Sequence, residues 1–179
     1  GIVGNTVQTT IDKTLQHIAE TELAATVSLF NAKGGTVIIM EPHTGEIFAL
    51  ANWPSFNPNS SSQFSPDERR NRAALDVFEP GSTFKVFTLA AALNVGAISP
   101  SELFYGEKGK WFVGDKHKIP IHDDHPQEWM NATGCLKYSS NICFAKIGFK
   151  LGKQRLYQYL RRFGFGGRTY IGLPFGSVG

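Results

Sequence analysis

The chain has 179 residues, 41% of them hydrophobic and 18% charged, with a formal net charge of +3. That is enough for one domain with a real core, and no stretch approaches the ~18 consecutive apolar residues of a membrane span. The basic residues are dispersed apart from Arg69-Arg70-Asn71-Arg72 and Arg161-Arg162, which read as solvated charge and not as the continuous basic face of a nucleic-acid binder.

Taken in chain order, Gly1-Ile2-Val3-Gly4-Asn5 shows no signal-peptide pattern. Thr9-Thr10 then precede a helical pattern that places Ile11, Leu15, Ile18 and Ala19 on one face and runs to about Phe30. Asp12 falls in its first turn, where negative charge suits the helix dipole. After Lys33-Gly34-Gly35, the runs 36–40 and 46–51 flank the turn residues Glu41-Pro42-His43-Thr44-Gly45 and predict a hairpin. Their continuous apolar character predicts a sheet covered on both faces. Residues 52–70 form a loop anchored by Trp53 and Phe56. An apolar helix spans 82–94, 95–130 is irregular, and helices follow over 133–151 and 153–163.

Two cysteines are present, Cys135 and Cys143. On one helix their separation would be roughly 12 Å, too far for a disulfide, which needs Cα atoms within about 7 Å. His122-Asp123-Asp124-His125 resembles a metal cluster, but adjacent residues rarely face one ion together, so it reads as a polar loop near a cleft entrance. His17 and His43 read as surface positions, and His117 as part of a lysine-flanked loop.

The chemistry concentrates in Glu79-Pro80-Gly81-Ser82-Thr83-Phe84-Lys85. Residues i and i+3 of a helix are neighbours, so Lys85 can reach the Ser82 hydroxyl. A serine is a poor nucleophile until a base takes its proton. Beside an apolar helix Lys85 is partly desolvated, which favours the neutral amine that such a base requires. Backbone N–H groups at the helix start can form part of an oxyanion hole. Alone, S-x-x-K is common, and serine is an ordinary helix cap. The second element is Tyr138-Ser139-Ser140-Asn141, 57 positions after Ser82. Its first serine offers a second hydroxyl for proton relay, and its asparagine offers a donor and an acceptor to a peptide-like substrate.

These two elements are the first two of the three associated with penicillin-binding proteins and class A β-lactamases. The chain resembles the transpeptidase domain of class B penicillin-binding proteins over nearly its whole length. The hairpin Gly35–Ala49, Pro54-Ser55-Phe56-Asn57-Pro58-Asn59, Asn71-Arg72-Ala73, Ser139-Ser140-Asn141 and Gly164-Phe165-Gly166 all take part. The Ser-Ser-Asn form is more similar to the cell-division branch than to the elongation branch. The resemblance implies an α/β (α+β) fold with helices packed on an incomplete antiparallel sheet, residues 1–179 being part of one transpeptidase domain. It implies Ser82 as the acylated nucleophile, Lys85 as its base, Ser139 as the relay to departing D-alanine, and Asn141 as the binder of the donor amide. It implies no cofactor and no metal. Expected partners are peptidoglycan stem peptides, β-lactams, the remainder of the domain, and glycosyltransferase and division-complex proteins, with no nucleic acid. The expected location is extracytoplasmic, through an N-terminal membrane helix outside this chain.

The third element, Lys-Thr-Gly or Lys-Ser-Gly, does not occur between Ser82 and Gly179. In the family it lines the cleft and holds the substrate carboxylate. Gly176-Ser177-Val178-Gly179 reads as a natural loop or a cloning remnant. The expectation is a fragment that neither crosslinks peptidoglycan nor reacts normally with penicillin by itself. Rival readings are a serine β-lactamase or D,D-carboxypeptidase, and a non-catalytic β-lactam sensor or scaffold.

Overall fold

A computed structural model describes residues 4–114, 120–169 and 171–172. His117 and the 176–179 tail lie outside the described residues. The chain divides into two compact units, one formed mainly by residues up to Val77 and the other by Phe78–Gly167.

The first unit packs helix α1 (Lys13–Leu29) on the antiparallel hairpin β1 (Gly35–Met40) and β2 (Ile47–Trp53). Asp12 caps the helix, its carboxylate accepting from Leu15 N at 2.9 Å, so it precedes the first turn that the sequence had assigned to it. The buried stripe is Ala19, Leu23 and Val27, closing on Ala49 and Ala51. Ile11 and Ile18 are exposed, so the apolar face predicted from them is rotated, with Leu15 and Ala19 alone retained from it. Gln16 binds the outer edge of β2 like an added strand, accepting from Leu50 N at 2.7 Å and donating to Leu50 O at 3.2 Å. The close helix–hairpin approach explains Gly35, where a Cβ would lie 2.8 Å from Leu23 Cδ1. β1 alternates half-buried and exposed residues, leaving Ile38 and Met40 about half exposed. The expectation of a sheet covered on both faces therefore fails for β1 among the described residues.

The 52–70 loop contains a 3-10 turn, Pro58–Gln63, with Phe56 packed on Phe64 at 6.1 Å between ring centres. It leads to the short helix α2 (Arg72–Leu75). Arg72 pairs with Asp67 at 2.6 Å and Asp76 at 3.3 Å, its side chain only 17% exposed. It is a structural ion-pair hub, where the sequence had suggested solvated charge.

The second unit is built around α3 (Lys85–Asn94), which follows a 3-10 turn at Gly81–Phe84. Among the described residues, four two-residue strands interrupt the irregular stretch: β3 (Phe104–Tyr105), β4 (Lys110–Trp111), β5 (Ile121–His122) and β6 (Trp129–Met130). β3 pairs with β6, and β4 with β5, both antiparallel. The predicted 133–151 helix is two helices, α4 (Ala132–Lys137) and α5 (Asn141–Leu151). α6 (Lys153–Arg162) closes the unit. Leu89, Ala91, Ala92, Cys135, Cys143, Ile147 and Leu151 form its core. Burying these side chains, at roughly 25 cal/mol per Å² of apolar surface removed from water, supplies the main force holding α3 against α5.

Candidate active site

Ser82 lies in the 3-10 turn that leads into α3, and Lys85 is the first residue of α3 itself. Gly81 turns the chain there at φ +59°, a left-handed conformation that glycine adopts without penalty. Ser82 is exposed and Lys85 half-buried. Lys85 Nζ donates to Ser139 O at 2.5 Å, Ser139 Oγ at 2.9 Å and Asn141 Oδ1 at 2.7 Å. Ser139 Oγ in turn donates to Ser82 Oγ at 3.0 Å. All four residues singled out from the sequence therefore meet, with one modification. Ser139 Oγ bridges Lys85 Nζ and Ser82 Oγ, where the sequence led to the expectation of a direct i, i+3 contact.

The break between α4 and α5 creates this arrangement. Ser140 caps α5, its Oγ accepting from Cys143 N at 3.0 Å. Its own N–H closes α4 by donating to Cys135 O at 3.0 Å. Ser139 is held between them at φ +51°, a costly conformation for a residue with a Cβ, and this turns both its hydroxyl and its carbonyl toward Lys85. A continuous helix would have hidden that carbonyl in an i to i+4 bond.

Asp123 is the site residue that sequence reasoning missed. It is 8% exposed, and its carboxylate accepts from Ser140 Oγ at 2.5 Å and Ile142 N at 3.0 Å. It thus grips the residues on either side of Asn141. The preceding His122 accepts from Asn141 Nδ2 through its carbonyl at 2.8 Å. The loop is delivered by the β4–β5 pairing of Lys110 with His122 and by a bond from Asp123 N to Gly109 O at 3.1 Å. The sequence signal was there, an acidic residue beside a β-rich dipeptide, but nothing local indicated which of the two aspartates turned inward. Asp123 is bound to this turn, while His122, Asp124 and His125 have exposed side chains.

Burial lowers the pKa of Lys85, and the negative charges of Asp123 and Asp124 partly oppose that shift. When Lys85 gives up a proton, it gains a lone pair facing Ser139 Oγ. Hydroxyl hydrogens rotate freely, so the 3.0 Å and 2.9 Å contacts can carry a proton from Ser82 through Ser139 to Lys85. Asn141 spends one N–H and one lone pair on His122 and Lys85, leaving one of each for a substrate amide. Phe144 lies under the ammonium, 5.7 Å from Nζ to ring centre.

Residues 35–179 match the penicillin binding protein transpeptidase domain family. The chain is 38% identical over 164 residues to a probable peptidoglycan D,D-transpeptidase PbpC of Pseudomonas aeruginosa, covering 92% of this chain and 28% of that protein. It is also 38% identical over 163 residues to the peptidoglycan D,D-transpeptidase FtsI of Buchnera aphidicola, covering 91% of this chain and 28% of that one. Among solved structures, the transpeptidase domain of Burkholderia pseudomallei penicillin-binding protein 3 superposes with a TM-score of 0.82 at 30% identity, over 96% of this chain and 46% of that one. The chain thus spans under a third of the length of these curated relatives.

Proposed function

The chain belongs to the penicillin-binding protein transpeptidase family, and from that premise we propose that it supplies the nucleophile-bearing part of a peptidoglycan D,D-transpeptidase site. The observation that carries this reading is the Ser82–Ser139–Lys85 relay. Ser82 Oγ attacks the carbonyl carbon of the penultimate D-alanine of a stem peptide. Its proton passes through Ser139 to Lys85, and backbone N–H groups at the start of the helix face the developing oxyanion. As the peptide bond breaks, a proton returns through Ser139 to the amine of the departing D-alanine. The amine of a neighbouring stem peptide then attacks the Ser82 ester, making the crosslink and releasing the serine. Asn141 aligns the donor peptide through its remaining N–H and lone pair.

In this reading residues 1–179 are part of a single transpeptidase domain, and the Lys-Thr-Gly or Lys-Ser-Gly strand comes from outside them. β-Lactams acylate Ser82 as mimics of D-alanyl-D-alanine. The protein works on the outer side of the cytoplasmic membrane, held there by a membrane helix. Its Ser-Ser-Asn motif, more similar to the cell-division branch, supports a glycosyltransferase and division-complex proteins as its partners.

Fluorescent penicillin tests the assignment on the natural full-length protein. The expected result is one long-lived label on the peptide containing Ser82, lost in Ser82→Ala. Equal labelling of Ser82→Ala would remove Ser82 as the nucleophile. Rapid turnover of a chromogenic cephalosporin would point instead to a β-lactamase.

A further inference from the structure

Lys146 lies on α5, one helical turn and a half beyond Asn141 and outside the Ser82–Ser139–Lys85–Asn141 contacts, with its side chain 21% exposed. Its ammonium donates to Glu107 Oε1 at 2.6 Å and to Tyr105 O at 2.7 Å. The rings of Trp111 and Tyr105 have their centres 5.0 Å and 5.9 Å from it. One cation on α5 thus gathers β3, β4 and the turn between them. That turn is strained. Glu107, Lys108 and Gly109 follow one another at φ +51°, +52° and +84°, and the first two carry a Cβ that disfavours this left-handed region. Such conformations persist only where the surroundings hold them. The turn also packs against the segment that leads from Asp123 to α4. A Cβ on Gly106 would collide with Gln127 O, and one on Gly109 would lie 2.6 Å from Pro126 Cγ.

These bonds form a closed circuit. Gly109 O accepts from Asp123 N at 3.1 Å, Asp123 accepts from Ile142 N on α5 at 3.0 Å, and Lys146 returns from α5 to Glu107. His122 belongs to the segment so anchored, and its carbonyl accepts from Asn141 Nδ2. Asn141 is therefore oriented from two sides, by Lys85 on α3 and by His122. Ser139 meets Ser82 and Lys85 without passing through that segment.

We propose that Lys146 and Glu107 are positioning residues for Asn141, and that through it they set the preference of the site for substrates presenting an amide. The ion pair holds the strained turn, the turn holds Asp123 and His122, and these fix the side chain that meets the amide. The inference rests on reading Ser82 as the nucleophile and Asn141 as the amide binder. Without the pair the turn relaxes and the His122 carbonyl moves. A drift of about 1 Å in a group that aligns substrate costs on the order of 10²-fold in rate. A substrate lacking the amide has no such alignment to lose, and the Ser82–Ser139–Lys85 contacts remain to acylate it.

The test uses the natural full-length protein and two β-lactams, benzylpenicillin and 6-aminopenicillanic acid, which lacks the side-chain amide. Their acylation rates are measured by competition with fluorescent penicillin. Lys146→Met should slow benzylpenicillin about tenfold or more and 6-aminopenicillanic acid by a far smaller factor. Partial unfolding, or displacement of Ser82 and Lys85, would slow both alike, so equal losses on the two substrates would overturn the positioning role. Glu107→Gln keeps the shape and removes the charge. It should shift the ratio of the two rates in the same direction, and it decides the matter if Lys146→Met fails to fold. The double variant should lose no more than Lys146→Met alone, because both changes break one pair. Additive losses would show two residues acting separately and overturn the pair. Absence of label on Ser82 in the unmodified protein would instead overturn the reading of the nucleophile, and coupling between the two substitutions in urea unfolding would still decide whether the pair holds the turn.

Discussion

Asp123 holds Ser140 Oγ at 2.5 Å while its second oxygen takes Ile142 N, so one buried carboxylate fixes both flanks of Asn141. Truncation strands a buried hydroxyl and a buried backbone N–H. Each stranded group costs about 1–3 kcal/mol. Asp123→Ala should therefore destabilise the protein by roughly 3 kcal/mol, and Asp123→Asn, which keeps one acceptor, by about half of that. Urea unfolding measures both. Penicillin acylation should fall in the same order, and an unchanged rate in Asp123→Ala would show that the turn holds itself without the carboxylate.

Ser139 makes a different prediction because its side chain is exposed. Ser139→Ala removes the bridging hydroxyl and leaves the backbone at the same φ. Acylation should drop by about 10²–10⁴-fold, the range for general acid–base groups, with the unfolding midpoint nearly unmoved. A loss confined to affinity, with the maximal acylation rate preserved, would make Ser139 a binding group and return the proton path to direct Ser82–Lys85 transfer.

Ser82, Lys85, Ser139 and Asn141 could be singled out as candidates from residue types at recognisable spacing, and the fold brings the four together. The sequence did not announce the helix break that makes Ser139 useful. Tyr138-Ser139-Ser140-Asn141 contains neither glycine nor proline, and both flanks are good helix, so local preference favours one continuous helix. Ser140 wins through its side-chain cap and the bond to Asp123, and Asp123 is 17 residues away. In the first unit, the hairpin was legible from its turn residues. The helix face was shifted because apolar Ile11 and Ile18 satisfy the periodicity while small Ala19 and Gly35 set where the backbones approach.

With Lys85 as the proposed base, its titration should set the pH dependence of acylation. Burial lowers its pKa, while Asp123 and Asp124 raise it. A base acts only when deprotonated, so acylation should rise with pH, with an apparent pKa below the ~10.4 of an ordinary lysine. Asp124 is exposed and bonded to none of the four site residues, so its charge can be removed by itself. Asp124→Asn withdraws a charge that stabilises the ammonium, and the profile should move to lower pH. Second-order acylation rates across pH measure the shift, and salt should shrink it because an exposed charge is screened. Movement to higher pH would contradict Lys85 as the base.

Phe87 links the helix carrying Lys85 to the Gly164-Phe165-Gly166 segment. Its ring meets Phe165 at 4.8 Å, Phe163 at 5.1 Å and Phe84 at 5.9 Å, and Phe84 itself reaches Phe165 at 5.1 Å. Aromatic pairs contribute about 0.5–1.5 kcal/mol beyond area burial. Phe87→Ala should cost roughly 3 kcal/mol, near the low end for a core phenylalanine because the site is only half-buried. Phe87→Leu keeps most of the volume and loses the edge-to-face contacts, so about 1–1.5 kcal/mol is expected. Because Ser82 lies two residues before Phe84, the alanine variant should also slow acylation, whereas the leucine variant should lose stability with little loss of rate. If the leucine variant loses no stability, ring geometry contributes nothing and the cluster is held by volume alone.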